Sequence, residues 1–333
     1  MRHQGHYKSC QSLPFFCSTT SPTNELNFIP VCRSAGKEVV FDKETYIVKE
    51  LTESSFDDVD IALFSAGGAI SKIYAPIAAE KGCFVVDNSS AYRMVDSVPL
   101  VIPEVNGNIL SGYKVGNNKG GIIANPNCST IIALMAVTPL HRAVGVKRMV
   151  ASTYQAASGA GALAMAELEQ QTRDVLNGDP VTMNIFGWQY AFNLFSHNAP
   201  MTENGYNEEE MKMVKETKKI WDTEDVDISA TCIRVPVMRA HAESINITLD
   251  KELDEVEARE ILRSAAGIKL IDDRENNRFP TPLDATNQDN VYVGRIRQDI
   301  SQPGKFGLEL FVCGDQIKKG AALNAVQIAE LLL

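Results

Sequence analysis

The residues able to do chemistry fall in a few short stretches. In "IIANPNCSTIIALMAV" (122–137), Cys128 follows the breaker Asn125-Pro126-Asn127 and precedes a long apolar run, which predicts a helix starting near Ser129. A thiol at a helix start feels the positive end of the helix dipole, and the backbone N–H groups there can stabilise a thiolate and a later oxyanion. That position suits a nucleophile. A lone cysteine also serves as a small buried hydrophobe, and spacing by itself leaves both roles open. His241, flanked by Arg239 and Glu243 at the start of a strand-like run, is the histidine suited to proton transfer, with a plain surface imidazole as the alternative. Arg93 in "NSSAYRM" and Arg234 in "RVPVMRAH" stand among apolar or small residues, where a guanidinium needs an anion, either a carboxylate of the chain or a ligand. Glu209 and Lys212 are i, i+3 neighbours on a charged helix whose Met211, Val214, Ile220 and Trp221 trace one face; such a pair ordinarily decorates a solvated surface.

A fourth stretch, "TYQAASGAGALA" (153–164), holds Gly159-Ala160-Gly161-Ala162-Leu163-Ala164, formally GxGxxA between a strand and a helix. The fingerprint wants an acidic residue at a strand end some way on, and Asp179 falls instead in a polar turn. The glycines then say only that a backbone passes close to something, a ligand or a packed neighbour.

Strand-like and helix-like segments alternate from residue 39 onward, the pattern of an α/β protein with a largely parallel sheet. "VDIALFSAGG" (59–68) reads as a buried strand with a small-residue loop, followed by a helix over about 71–81; "GCFVVDNSSAYRM" (82–94) and "GGIIANPNCST" (120–130) repeat the theme. The second half runs strand, glycine-rich loop and helix (147–176), a charged helix (207–221), strands at 231–237 and 242–249, and a closing strand and amphipathic helix. A domain boundary near Cys128 would let a nucleophile meet a cofactor from one side and a substrate from the other. At 333 residues the chain is long enough for two domains, and 44% hydrophobic with 22% charged residues is the mix of a globular enzyme. The net charge of −10 argues against nucleic acid or an anionic membrane as the main partner. Seven cysteines with no CxxC pair suggest neither a disulfide framework nor a zinc site, and point to a reducing compartment. No apolar run reaches the length of a membrane span. The first 24 residues lack acidic groups and are rich in Ser, Thr and Pro, which suits a transit peptide or a disordered tail.

"NPNCST", "TYQAASGAG", "EEEMKM", "RVPVMRAHAES" and "KGAALNAVQIAE", in this order and within a match from about Arg33 to the C-terminus, resemble the aspartate-semialdehyde dehydrogenases, above all the plant and bacterial forms. The resemblance implies an α/β fold, with a Rossmann-like dinucleotide-binding domain (32–127 and 315–333) and an α+β catalytic and dimerisation domain (128–314). It implies reduction of L-aspartyl 4-phosphate to L-aspartate 4-semialdehyde with NADPH and release of inorganic phosphate, in lysine, threonine, methionine and isoleucine biosynthesis. By motif, Cys128 is the thiolate that forms a thioester, Gln155 orients the bound intermediate and His241 is the acid/base catalyst. Arg234 takes the substrate α-carboxylate, Glu209 the ammonium, and Arg93 and Lys212 the phosphate. The NADP contacts fall on Arg33 and Ser34 (the 2′-phosphate), Ser65-Ala66-Gly67, Ser158-Gly159-Ala160-Gly161 and Asn324. No metal is implied. A homodimer or homotetramer is implied, and a location in the plastid stroma, or the cytoplasm of a bacterium.

One departure stands out. The family opens with a strand and a GxxGxxG turn that cradles the pyrophosphate, whereas residues 1–31 hold a single glycine, Gly5, and no strand-turn-helix text. The first βα unit is therefore expected to be lost and residues 1–31 to be an aberrant or disordered segment. NADPH affinity and stability should suffer, because the sheet would lack a strand. Three readings stay open: a working dehydrogenase, an inactive variant acting only as a dimer partner, and a related acyl-phosphate reductase.

Overall fold

The computed structural model describes residues 16–20, 25–29, 36–41, 43–116 and 119–333, which divide into two compact units. The first unit is Met1–Pro99, Leu110–Asn125 and Ile328–Leu333. Its elements are β1 (Phe16–Thr20), β2 (Glu25–Ile29), β3 (Glu38–Phe41), β4 (Glu44–Ile47), β5 (Ile61–Phe64), α1 (Gly68–Glu80), β6 (Phe84–Asp87) and β7 (Gly121–Ala124). The sheet runs β2-β1-β5-β6-β7, and β5, β6 and β7 are parallel. The short apolar runs IALF and FVVD are what a strand covered on both faces requires. α1 lays Ala75 and Ala78 into a cluster with Phe56, Phe64 and Val85.

Within the stretch expected to be foreign to the family, β1 and β2 form an antiparallel hairpin, and β1 pairs antiparallel with β5, Cys17 opposite Leu63 and Thr19 opposite Ile61. The outer edge of β5 is thus paired, by a strand running against the parallel set. Arg33 and Ser34 lie outside the described residues, as do positions 1–15, 21–24, 30–32 and 35 of the N-terminal region.

The second unit is Leu100–Ile109 with Pro126–Gln327. It contains α2 (Pro103–Asn106), α3 (Cys128–Val144), β8 (Val146–Gln155), α4 (Ala162–Asn177), β9 (Phe195–Ser196), α5 (Glu208–Trp221), β10 (Asp227–Arg234), β11 (His241–Leu249), α6 (Glu255–Ser264), β12 (Ile268–Leu270), α7 (Pro282–Ala285), β13 (Val291–Gln298) and β14 (Gly307–Gly314), and α8 (Leu323–Leu332) begins in it. The sheet order is β12-β13-β14-β11-β8-β10-β9, with β10 parallel to β8 and β11 antiparallel to both β8 and β14. Along β8, Met149, Ala151, Thr153 and Gln155 are buried, while Val150, Ser152 and Tyr154 are half-buried. This period of two marks a sheet with one covered face. α3 covers it and is apolar almost all round, from Ile131 to Leu140; it approaches closely enough that a Cβ on Gly314 would lie 2.7 Å from Ile132.

The units do not divide where the expected domains do, since 100–109 and 315–327 group with the second. A buried ammonium explains much of this: Lys319 Nζ bonds Glu104, Asn324 Oδ1 (3.0 Å) and Gln327 Oε1 (2.7 Å), and Asn324 Nδ2 donates to Val101 O at 3.0 Å. The charged helix also departs from expectation. Its buried face carries Glu209, Glu210, Glu216, Met213 and Ile220, whereas Met211, Val214 and Trp221 are half-buried.

Candidate active site

The site in the second unit begins at the start of α3. Asn127 caps the helix, its side chain accepting from Ser129 N and Thr130 N, and so fixes Cys128 as the first helical residue. The cap is itself held: Asn127 N donates to Glu216 Oε2 (2.6 Å), and Asn127 Nδ2 to Glu209 Oε1 (2.8 Å). Cys128 is half-buried, in contrast to Cys83, Cys232 and Cys313, whose thiols are buried and pushed up by that burial, Cys83 to about 12. From the other side comes Gly320, in a π-helical turn (Lys318–Ala322), where an added Cβ would stand 3.0 Å from Cys128 Cβ.

Glu209 is the hub. Its Oε1 accepts from Asn127 and from Gln155 Nε2 (3.2 Å), and its Oε2 takes Lys212 Nζ at 3.0 Å; Gln155 Nε2 also reaches Ser129 Oγ at 2.7 Å. Burial disfavours the carboxylate, but Lys212, His197 and the hydrogen bonds from Asn127 and Lys212 outweigh it and hold Glu209 down at about 2. It is an anion at neutral pH. The i, i+3 pair is therefore no solvated decoration, because Glu209 is 5% exposed.

Arg234, at the end of β10 beside Gln155 on β8, is 5% exposed. Its guanidinium reaches Asn198 Oδ1 (3.4 Å) and Ala156 O (3.5 Å) and lies 5.5 Å from the Phe186 ring centroid, with no ion-pair partner among the described residues. A buried cation served only by neutral acceptors is suited to an anionic ligand. His241 opens β11 and is fully buried; Nδ1 accepts from Ala156 N at 3.1 Å, which leaves the proton of the neutral ring on Nε2, and Nε2 has no partner. Burial, then Arg234, lower its proton affinity to about 3. Gly159 must be glycine here, since a Cβ would fall 2.9 Å from His241 Cε1 and 3.2 Å from Arg234 Nη1. The 158–161 loop continues a 3₁₀ turn (Ala157–Ala160) into Gly161, which precedes α4; in it Ser158 is buried and bonded to Gln316 while Gly159, Ala160 and Gly161 are exposed. Cys128, Gln155, Glu209, Lys212, Arg234, His241 and the 158–161 loop thus belong to one unit. Asn324 belongs to it too, fully buried with its amide on Val101 and Lys319.

In the first unit, Ser65, Ala66 and Gly67 end β5 and start α1. Gly67 caps the helix at φ 86°, with open space where a Cβ would point. Arg93 Nε donates to Asn125 O (2.8 Å) and Nη2 to Asn88 O (3.0 Å). Sequence reasoning missed Glu216, His197, Gln316 and Gly320, and treated Asn127 as a breaker although Asn is a favoured N-cap. The cap was readable; the others act across sequence separations that no local pattern encodes.

Residues 17–113 match the semialdehyde dehydrogenase NAD-binding domain, and residues 137–319 the semialdehyde dehydrogenase dimerisation domain. The aspartate-semialdehyde dehydrogenase of Prochlorococcus marinus is 52% identical over 312 residues, covering 94% of this chain and 89% of that protein. The chain belongs to the aspartate-semialdehyde dehydrogenase family. The Synechocystis sp. member is 50% identical, over 96% of this chain and 93% of its own length. The crystal structure of Vibrio cholerae aspartate semialdehyde dehydrogenase II complexed with ASA superposes with a TM-score of 0.87 at 43% identity, covering 94% of this chain and 90% of that one. Family membership makes the protein an oxidoreductase with a domain for a nicotinamide dinucleotide and a second domain for dimerisation. The first unit fits such a cofactor at the start of α1, where the glycine cap Gly67 leaves open space at a helix N-terminus for the close approach of a phosphate or ribose.

Proposed function

We propose that this chain converts L-aspartyl 4-phosphate to L-aspartate 4-semialdehyde with NADPH, through a thioester on Cys128, in the biosynthesis of lysine, threonine, methionine and isoleucine. What carries the reading is Cys128 at the capped start of α3, in the same unit as an anion-seeking Arg234 and an unpartnered imidazole N–H. The helix terminus favours the thiolate. Its sulfur attacks the acyl carbon, the C–S bond forms, and the C–O bond to the phosphoryl group breaks to release inorganic phosphate. Arg234 pairs with the substrate α-carboxylate and Glu209, fixed as an anion, with the ammonium; Lys212 and Arg93 take the phosphate. Gln155, anchored to Ser129 and Glu209, holds the acyl group in register. NADPH, when bound, supplies the hydride that reduces the thioester. His241 donates a hydrogen bond from Nε2 to the oxygen that becomes negative, and that oxygen becomes the aldehyde carbonyl as the C–S bond breaks and the Cys128 thiolate leaves. NADP rather than NAD is proposed on the match of Arg33 and Ser34 to the family's 2′-phosphate position.

The test is kinetic and covalent. Cys128→Ser should lower kcat by at least about a thousandfold, a loss of roughly 4 kcal/mol of transition-state stabilisation, and should abolish acyl transfer from substrate to protein as read by mass spectrometry. Undiminished turnover would overturn the mechanism. A second reading also has an observation behind it. The neighbour of β5 is an antiparallel strand without a glycine-rich turn, so this chain alone is expected to bind NADPH weakly and to serve chiefly as a dimer partner. A fluorescence titration giving micromolar affinity removes that reading.

A further inference from the structure

The mechanism above leaves one imidazole of the site without a role. His197 follows β9, and its backbone is fixed on both sides: N donates to Cys232 O at 2.8 Å and O accepts from Asn207 Nδ2 at 3.5 Å. Nδ1 accepts from Ala199 N at 3.2 Å, so the neutral ring carries its proton on Nε2, and Nε2 has no hydrogen-bond partner among the described residues. His241 is held by the same device, through Ala156 N, with its own Nε2 unpartnered and fully buried. The half-buried His197 stands between β9, whose Phe195 lies opposite Arg234, and Asn198, whose Oδ1 accepts from Arg234 Nε at 3.4 Å; through Asn207, the cap of α5, its backbone also adjoins the helix of Glu209 and Lys212. Arg234 has no ion-pair partner among the described residues, and beside it two imidazole N–H donors are unused. An oxyanion completes the set.

We propose that His197 is a substrate-binding residue, donating from Nε2 as a neutral imidazole to an oxyanion of the bound substrate, its carboxylate or its phosphoryl group. The inference rests on the proposed function for the identity of that substrate. The ring is neutral for two reasons. Burial, then Arg234, hold its proton affinity down at about 4, with Lys212 adding to and Glu209 opposing the effect, and the Ala199 N–H occupies the nitrogen a second proton would need. The side chain is not needed to hold its segment in place, because the backbone bonds of His197 already anchor it to β10 and Asn207.

The oxidative direction separates the two anions, since semialdehyde brings the carboxylate and inorganic phosphate is a distinct substrate. His197→Ala should raise one KM by about 10- to 100-fold, the range for losing a hydrogen bond to a charged group, with kcat within about twofold. His197→Gln, which keeps an N–H donor without an imidazole, should recover most of the loss. A change confined to phosphate assigns the phosphoryl group, and one confined to semialdehyde assigns the carboxylate. The wild-type KM should show no imidazole ionisation between roughly pH 6 and 8 that His197→Gln removes. Unchanged KM values in a folded His197→Ala protein, or equal kcat losses in both variants, overturn the proposal. Should the wild type fail to turn over, the proposed function fails by itself. His197 is then decided by calorimetric binding of inorganic phosphate and of L-aspartate, which His197→Ala should weaken by about tenfold for one of them; no weakening of either sinks it.

Discussion

At the residue scale, local chemistry separates Cys128 from its siblings. Burial raises the thiols of Cys83, Cys232 and Cys313, whereas Cys128 sits half-exposed at a helix start. Iodoacetamide at neutral pH should modify Cys128 in step with loss of activity and leave those three untouched, as peptide mass spectrometry would read. Gly159 has a sharper requirement. Gly159→Ala puts a methyl within 3.1 Å of His241 Nε2, and since misplacing a catalytic group by about 1 Å costs on the order of a hundredfold, kcat should fall by that order with little change in Tm. The sequence marked Gly159 as a close approach without saying to what. Its neighbours are 75 and 82 positions away in the chain, and only strand pairing brings them near.

At the element scale, α3 and α5 form one device. The cap Asn127 is gripped by Glu209 and Glu216 from α5, while the π-helical turn presses Gly320 against Cys128 from the other side. Asn127→Ala removes the cap and the amide partner of Glu209, and should cost about 1 kcal/mol or more of stability, read as a lowered midpoint in urea unfolding. Gly320→Ala should leave stability nearly unchanged but lower kcat by roughly tenfold or more, because a new Cβ 3.0 Å from Cys128 Cβ must displace it and reactive geometry is that sensitive. The helical span of α5 was legible as a charged helix over 207–221. Its buried face was not: hydrophobic periodicity looks for apolar residues, and here three glutamates are buried by capping, ion pairing and the start of another helix.

At the scale of the whole molecule, pH and assembly become testable. His241 at about 3 and His197 at about 4 both lie below their ordinary 6.5, and Glu209 at about 2 lies below its ordinary 4.5. In each case the unfolded chain binds the proton more readily. Stability is whole above pH 6.5 for the histidines and above 4.5 for Glu209, and is lost as pH falls through the folded values. Glu243 runs the other way. It is fully buried with both oxygens unpartnered, and burial raises it well above 4.5, so its contribution is whole below that pH and lost as pH rises through the raised value. Glu243→Gln should therefore raise Tm at pH 8 while changing it little at pH 4. For assembly, the segment 183–201 of the dimerisation domain exposes Met183, Ile185, Trp188, Phe192, Leu194 and Met201. Exposed large apolar side chains on a dimerisation domain suit a partner surface, and Trp188→Glu with Phe192→Glu should shift the protein toward monomer in sedimentation analysis.

The sequence by itself determined the alternation of strands and helices, a helix start near Ser129, the charged helix and the family, because these rest on periodicity, turn signals and ordered motifs within short windows. The tertiary structure decided which charges are buried, that Glu209 joins Asn127, Gln155 and Lys212, that β1 runs antiparallel to β5, and that the segment carrying His197 pairs with the strand of Arg234. The physical reason is common to all four. Burial and hydrogen-bond partners belong to residues far apart in the chain, and strand pairing and helix docking alone bring them within reach.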